Sequence, residues 1–359
     1  MNQRNILMPV RTVADWGGVH EWTVDASRAL LSEGHKVTFV GSGSVFKERA
    51  QAFGNQFIEV DWSKWRDSVE EIANHDEFDL IFSHAPEARM LGLEVNKILD
   101  VENIVMIHGA YHDFMYQWSN RVDAFLAASP SLVHFTQRFG RVDPWKVINI
   151  PNAAADEVFD LPFQGIEAKL HGNVGHIVTA SRLSKDKLPQ IDAVAESLAA
   201  LRKRWPEVSW QIDVYGDGPL RAFYEFRYKQ ITRQAGSSTY KFHGWLPADE
   251  VPAKMNSAFL TVTAGMAGVR ALASGSLCVG VGAKSNVGVQ KGKNLRAGLW
   301  SNFGDHGIFG FEEPSIYEDL MSIDSAAAYE DVVLTARSVS KRTNSQSVVD
   351  SKMLAALHC

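Results

Sequence analysis

Read as apolar and polar positions, the chain alternates short apolar runs with longer stretches of three- and four-residue period. In the first half the apolar runs are Ile6–Val10, KVTFVG, FDLIFSH, NIVMIHG, AFLAAS and KVINIPN. Such runs fit strands buried on both faces of a parallel sheet. After the first of them, Val19, Trp22, Ala26 and Leu30 fall on one helical face, which stops at Gly34, a residue suited to end a helix. From about 152 to 175 the periodicity relaxes, so 153–175 predicts a linker. The alternation then restarts with HIVTA, a helix carrying Ile191, Val194, Ala195, Leu198 and Leu201, and the runs WQIDVYGDGP, YKFHGWLP, AFLTVTAG and LCVGVG. The pattern predicts an α/β protein of two doubly wound, Rossmann-like domains, 1–152 and 176–334. A polar helical tail closes the chain, with Val348, Val349, Met353, Leu354 and Leu357 at helical spacing.

Composition narrows the classes. A length of 359 residues suits two domains, and the 45% hydrophobic and 22% charged shares are those of a globular protein. A formal net charge of −6 argues against a protein that coats nucleic-acid backbones, and no nucleic-acid partner is expected. Two cysteines, Cys278 and Cys359, make no disulfide framework, which points to a reducing cytoplasm. The N-terminus lacks a signal-peptide core and no run approaches a membrane span. A cytoplasmic location follows, with peripheral contact at the inner membrane face left open.

Ligands of doubly wound sheets sit at the C-terminal ends of strands. There, VTASRLSKDKL passes from an apolar run into a helix through Arg182, Lys185 and Lys187. A basic knot of this kind is either a solvated turn or an anion site. Two glycine-rich turns occupy equivalent strand ends: Gly216-Asp217-Gly218, and Gly265-Met266-Ala267-Gly268 before a helix expected to start near Val269. Two cations and two glycine-rich turns at three strand ends of one domain favour a diphosphate site. Competing chemistries lack their residues. No Asp-x-Asp occurs, and His108 and His112, four apart after a strand, have no evident third ligand, so no metal is expected. GVQKGKN is one residue short of a phosphate loop, and no G-x-G-x-x-G follows the first strand.

These motifs, in this order, resemble those of retaining nucleotide-sugar glycosyltransferases of family 4. The resemblance rests on GGVHEWTVDASRALLSEGHKVTFVG, VDAFLAASPSLVHF, KVINIPNAAADEVF, ASRLSKDK, VYGDGPLR and FHGWLPADEVPAKM, and runs nearly end to end. It implies the GT-B fold: two Rossmann-like domains facing a central cleft, with the acceptor on the first, the nucleotide-sugar on the second, and the tail of about 335–359 joined to the first. It also implies that Arg182 and Lys187 hold the donor diphosphate and that His108 lies by the transferred sugar. Gly17 and Gly18 would allow a backbone approach to the donor. Gly216, Asp217, Gly218, Trp245, Leu246, Gly265, Met266, Ala267 and Gly268 would complete its binding. The donor would be UDP- or GDP-linked, without a cofactor, and the acceptor is not specified.

The family's paired glutamates, however, are missing. Ala264 stands near the first position and Arg270 at the second, placed by this reading in the first turn of a helix, where a cation is disfavoured without an anion nearby. Arg270 cannot accept a hydrogen bond from a ribose diol, so it is expected to pair with a donor phosphate or to meet an acidic group of the sugar or protein, unless it simply points to solvent. The expected activity is sugar transfer with retention in glycan or glycoconjugate synthesis. The alternatives are a nucleotide-sugar 2-epimerase of the same fold and a catalytically silent subunit that scaffolds a partner.

Overall fold

A computed structural model describes residues 3–12, 15–236 and 238–358 of the chain. Cys359, the expected end of the last helix, lies outside the described residues. The chain divides into two compact units, residues up to Pro151 joined by those from Val349 onward, and Asn152–Val348.

The first unit is built on seven parallel strands: β1 (Asn5–Pro9), β2 (Lys36–Gly41), β3 (Gln56–Glu59), β4 (Leu80–His84), β5 (Glu102–Ile107), β6 (Ala124–Ala127) and β7 (Val147–Asn149). Their order is β3-β2-β1-β4-β5-β6-β7, so the winding reverses between β1 and β4. Leu7, Val40 and Ile81 pack with Trp65, Ile72, Leu91 and Val95, while Trp22 of the helix Gly18–Ser32 meets Phe82 edge-on at 6.1 Å. Two elements carry little sequence signal. Strand β3 is short and half exposed at the sheet edge. The helix Pro86–Leu99 follows His84 through a single residue, Ala85, at φ 73°.

The second unit has six strands: β8 (Val174–Ala180), β9 (Ser209–Tyr215), β10 (Ser238–Gly244), β11 (Leu260–Thr263), β12 (Leu277–Val281) and β13 (Asn286–Val289). The order is β10-β9-β8-β11-β12-β13, parallel except for β13, with the reversal between β8 and β11. Neighbouring residues of β8 feed different cores. Ile177 joins Ile212, Val214 and Leu260, whereas Val178 joins Ala180, Tyr215 and Met255. This two-sided burial is why its strands read as continuous apolar runs.

Three expectations change. Residues 153–175 are folded against the second unit instead of hanging as a free linker. Ala154 bridges Ser345, Phe159 is buried, and Arg337 donates to the carbonyls of Phe159 at 2.5 Å and Leu161 at 2.6 Å. These residues form two short 3₁₀ turns and a single α-helical turn, Ile166–Lys169, pieces too short to show a helical or strand period. The tail is two helices, Ala326–Asn344 and Gln346–Ala356, broken at Ser345, whose ψ of 146° is extended. Finally, Gly265-Met266-Ala267-Gly268 is not a turn. It is the first turn of the helix Gly265–Ala273, capped by Ala264. Gly268 is tolerated there because the ring of Phe303 fills its side, 2.5 Å from where a Cβ would stand.

Candidate functional site

In a doubly wound sheet, the crevice lies outside the carboxyl ends of the strands where the winding reverses. In the second unit this is the space beyond β8 and β11, held together where Thr263 Oγ1 donates to the Ala180 carbonyl at 3.1 Å. Residues 181–187 leave β8 there, and the helix Gly265–Ala273 begins there after β11.

The turn after β9 completes the wall, and its glycines are required by packing. Gly216 has φ 128°, and a Cβ on it would fall 2.0 Å from the Ser181 carbonyl oxygen; one on Gly218 would fall 2.6 Å from that of Leu183. Main-chain bonds stitch the two turns, Leu183 N–H to Asp217 O at 3.0 Å and Leu220 N–H to Leu183 O at 3.0 Å. Glycine here brings the basic segment against its neighbour. The Asp217 carboxylate stays within its own turn, accepting from the Gly218 N–H at 2.7 Å and pairing with Arg221 at 3.0 Å.

The cations of the basic segment are compensated by protein carboxylates. Arg182 and Lys187 each lie 3.7 Å from an oxygen of Asp186. Burial pushes the Asp186 carboxyl up, but the Ser184 hydroxyl and the charges of Lys187 and Arg182 outweigh it and hold it below the usual range. Lys187 also meets Asp305 Oδ1 at 2.5 Å, and both side chains are mostly buried. The same oxygen accepts the Ala283 N–H at 3.1 Å. Oδ2 of Asp305 lies 3.0 Å from where a Gly265 Cβ would stand, at the mouth of the helix Gly265–Ala273. A carboxylate therefore occupies the region where the sequence lacks one, delivered from a different segment. Sequence reasoning missed it. The left-handed residues Asn302, Phe303 and Gly304 turn the chain back toward Gly265, whose N–H donates to Asn302 O at 3.2 Å. The only trace in the sequence is the string Asn302-Phe303-Gly304-Asp305, rich in residues that accept positive φ.

Arg270 is placed differently from the expectation. Because the helix starts four residues earlier, Arg270 is in its last turn, where the dipole favours a cation. The argument that it needs a nearby anion falls away. Met266 and Ala267 are half-buried in the first turn. After the bulged end of β10, Trp245 is 58% exposed, a flat surface open to stacking, and Leu246 packs on the core beneath it.

The first unit gathers a separate group at its own reversal point. His108 follows β5 and His84 ends β4; their rings meet at 3.0 Å, Nε2 of His108 to Nδ1 of His84. Trp22 stands edge-on to His108 at 5.2 Å. Burial, then the neighbouring His108, pushes His84 well below the ordinary imidazole value, so it is neutral. A neutral His84 sets the orientation of His108 from beneath. His84 was also missed, although FDLIFSH and NIVMIHG end two adjacent strands in the same way. His112 goes elsewhere, edge-on to Phe135 and Phe139 at 5.2 and 4.9 Å. Among the described residues no cluster of three His, Cys, Asp or Glu could hold a metal ion. Gly17 caps the helix Gly18–Ser32 in an extended conformation, and a Cβ on Gly17 or Gly18 meets nothing within 4 Å. Their own unit does not demand glycine at either place. Among the described residues no helix is long and apolar enough to cross a membrane.

Comparison with known proteins agrees with this architecture. No curated protein matches the chain in sequence. Among solved structures, a glycosyltransferase from Rickettsia africae superposes with a TM-score of 0.73 at 15% identity, covering 99% of this chain and 98% of that one. HepE from Anabaena, in complex with UDP and glucose, gives 0.70 at 15%, covering 99% and 100%. A UDP-N-acetylglucosamine 2-epimerase assigned in Listeria monocytogenes gives 0.63 at 12%, covering 99% and 96%. Residues 16–158 match the model of Glycosyltransferase Family 4, and the chain as a whole has the α/β GT-B fold of the glycosyltransferases it superposes on.

Proposed function

We propose that the protein is a retaining glycosyltransferase that uses a nucleoside-diphosphate sugar. The observation that carries this reading is the placement of Arg182 and Lys187 at the reversal point of the second sheet, against a turn whose glycines admit close approach. Cleavage of a sugar–phosphate bond leaves negative charge on the departing diphosphate. Cations fixed in a partly buried site stabilise that charge as it develops. Each charge-assisted hydrogen bond contributes about 1.5–3 kcal/mol. Trp245 offers its exposed ring to the base, with Leu246 behind it. On the first unit, the family resemblance gives His108, whose ring meets that of His84, a role near the transferred sugar. In the retaining route the leaving phosphate takes the acceptor proton on the same face, so the chain supplies positioning and charge and needs no nucleophile of its own. HepE was solved with UDP and glucose, which favours a UDP-linked donor here.

The epimerase reading gains support only from the shared fold. A silent scaffold is favoured by the absence of a carboxylate in Ala264–Arg270 and opposed by Asp305. A donor screen with UDP- and GDP-sugars, read by mass spectrometry for free nucleoside diphosphate and for the product sugar, separates the three. Release of UDP or GDP with the anomeric configuration kept is expected. Conversion of the donor to its 2-epimer, or no turnover with any donor, overturns the proposal.

A further inference from the structure

A second polar cavity lies in the unit Asn152–Val348 and shares no lining residue with the candidate donor site. It measures about 410 Å³ and is bounded by β8, β9 and β10, the segment 164–171 and the helix Val251–Ser257. Its floor is a carboxylate between two imidazoles. Asp213 of β9, 4% exposed, accepts from His176 Nδ1 at 2.7 Å and from His243 Nε2 at 2.7 Å. Gln211 Nε2 donates to it as well, at 2.7 Å. Burial pushes the Asp213 carboxyl up, but these three donors outweigh it and hold it below the ordinary range, so it is ionised. An ionised carboxylate only accepts, so each imidazole spends one N–H on it. The second ring nitrogen of each remains for the cavity. His243 reaches this position because the register between β10 and β9 slips between Phe242 and Gly244, a bulge that re-aims the residue between them. Its ring is stacked on Tyr215 at 4.5 Å.

Cations line the rest of the cavity. Lys254 projects from the helix Val251–Ser257 and His171 from the opposite segment. Lys169, 2% exposed, donates to the Gly275 carbonyl at 3.0 Å and lies 5.7 Å from the centre of the Tyr329 ring. Neither lysine has a carboxylate partner among the described residues. Burial alone lowers the Lys169 ammonium to about 7. A buried amine without a counter-ion is costly, and an anion arriving from solvent relieves that cost. Against the single negative charge of Asp213, already held by three donors, the cavity sets two lysines and three imidazoles.

We infer that this cavity binds a small phosphate-bearing anion, held by the outward nitrogens of His176 and His243 together with Lys254, while the Lys169 ammonium, bonded to the Gly275 carbonyl, adds positive charge from within the wall. A protonated imidazole donates from both nitrogens, so binding strengthens as the pH falls. A bound dianion also draws a proton onto Lys169. Because burial has lowered that amine to about 7, anion binding near neutral pH is accompanied by net proton uptake.

The experiment uses the full chain carrying Arg182→Ala and Lys187→Ala, so that anions binding at the donor site do not register. Inorganic phosphate and glucose 6-phosphate are titrated by calorimetry at pH 6 and pH 8, and at pH 7 in two buffers of different ionisation enthalpy. We expect saturable binding, at least threefold tighter at pH 6, with net proton uptake at pH 7. Tighter binding of glucose 6-phosphate would identify a sugar phosphate as the ligand, and equal binding free phosphate. Lys254→Ala, on an exposed side chain, weakens binding at least threefold without changing the melting temperature. Lys169→Met reduces the proton uptake and leaves the share that the imidazoles supply. Absence of saturable heat with both anions overturns the inference, as does affinity unchanged by Lys254→Ala. The outcome is independent of whether the chain transfers sugar.

Discussion

Replacing Asp305 by asparagine tests how the proposed donor site is balanced. Asp305 holds Lys187 at 2.5 Å between side chains only 15% and 18% exposed, and it also accepts the Ala283 N–H. A diphosphate approaching Lys187 meets a cation already paired and a carboxylate it repels. Asparagine keeps a carbonyl oxygen for Lys187 or Ala283 but removes the charge. The Lys187 ammonium keeps a charge-assisted bond to the amide oxygen but loses its attraction to a full negative charge, which loosens the pair by about 1.4 kcal/mol. Lys187 becomes that much more available, and UDP or GDP should bind about tenfold more tightly. Transfer should nevertheless slow, because the anionic acceptor at the mouth of the helix Gly265–Ala273 is weakened as a partner for sugar hydroxyls. The assay is titration of the nucleoside diphosphates, alongside turnover with a donor that the screen has identified. If Asp305→Asn weakens nucleotide binding as much as Lys187→Ala, Asp305 positions the lysine instead of competing for it, and the reasoning is wrong.

Other outcomes follow from the same geometry. Arg182→Ala and Lys187→Ala should each reduce transfer roughly a hundredfold with the fold intact, as expected for one lost stabiliser of developing charge, and Lys187→Ala should also lower the melting temperature because it leaves Asp305 without its cation; full activity in both would return the segment to a solvated turn. Gly18→Ala introduces a Cβ into open space at a helical position, so stability should hold or rise by about 0.4–1 kcal/mol; a large loss of transfer in that stable variant would mark a ligand at the backbone. Gly216→Ala, by contrast, should fail to fold stably, because φ is 128° and its Cβ would strike Ser181 O. His20, lowered to about 4 mainly by burial, and His84, held well below the ordinary value by burial and then by His108, are both neutral in the folded state. The unfolded chain binds more protons below the ordinary value of 6.5, so their stabilisation is complete above that pH and is lost as pH falls towards 4. The slope is about 1.4 kcal/mol per pH unit for each imidazole. Denaturant titrations across that window should show a slope reduced by about one proton in His84→Gln, and an unchanged slope would contradict the neutral assignment.

The sheets were legible because two-sided burial leaves an unbroken apolar run, as in FDLIFSH and LCVGVG. The cradle of Arg182, Lys187, Gly216 and Gly218 was legible because each residue sits within a few positions of such a run. Asp305 was not, since its place depends on three successive left-handed residues, Asn302 to Gly304, whose path no periodicity encodes. The start of the helix at Gly265 was misread for a related reason. Two glycines argue for a turn unless one knows that Phe303, far along the chain, packs on Gly268. The grouping of Asp213 with His176 and His243 also needed the structure, because the bulge in β10 decides which way His243 faces.

The chain leaves the first unit after Pro151 and returns to it at Val349, and within the second unit the two passages run side by side. The Ala154 N–H donates to Asn344 O and the Gln346 N–H to Ala154 O, both at 2.9 Å. The first unit's fold is finished only by residues beyond that crossing: Val349, Met353 and Leu357 are buried in it, and Arg4 donates to the Leu357 carbonyl at 2.7 Å. During synthesis, then, the first unit waits for Val349 and the residues that follow it before it can close. The unit Asn152–Val348, contiguous in the chain, can complete itself while the ribosome is still at work. Truncation after Val348 would therefore injure the unit built from residues up to Pro151, leaving the second unit folded and the first unit's strands without their final cover.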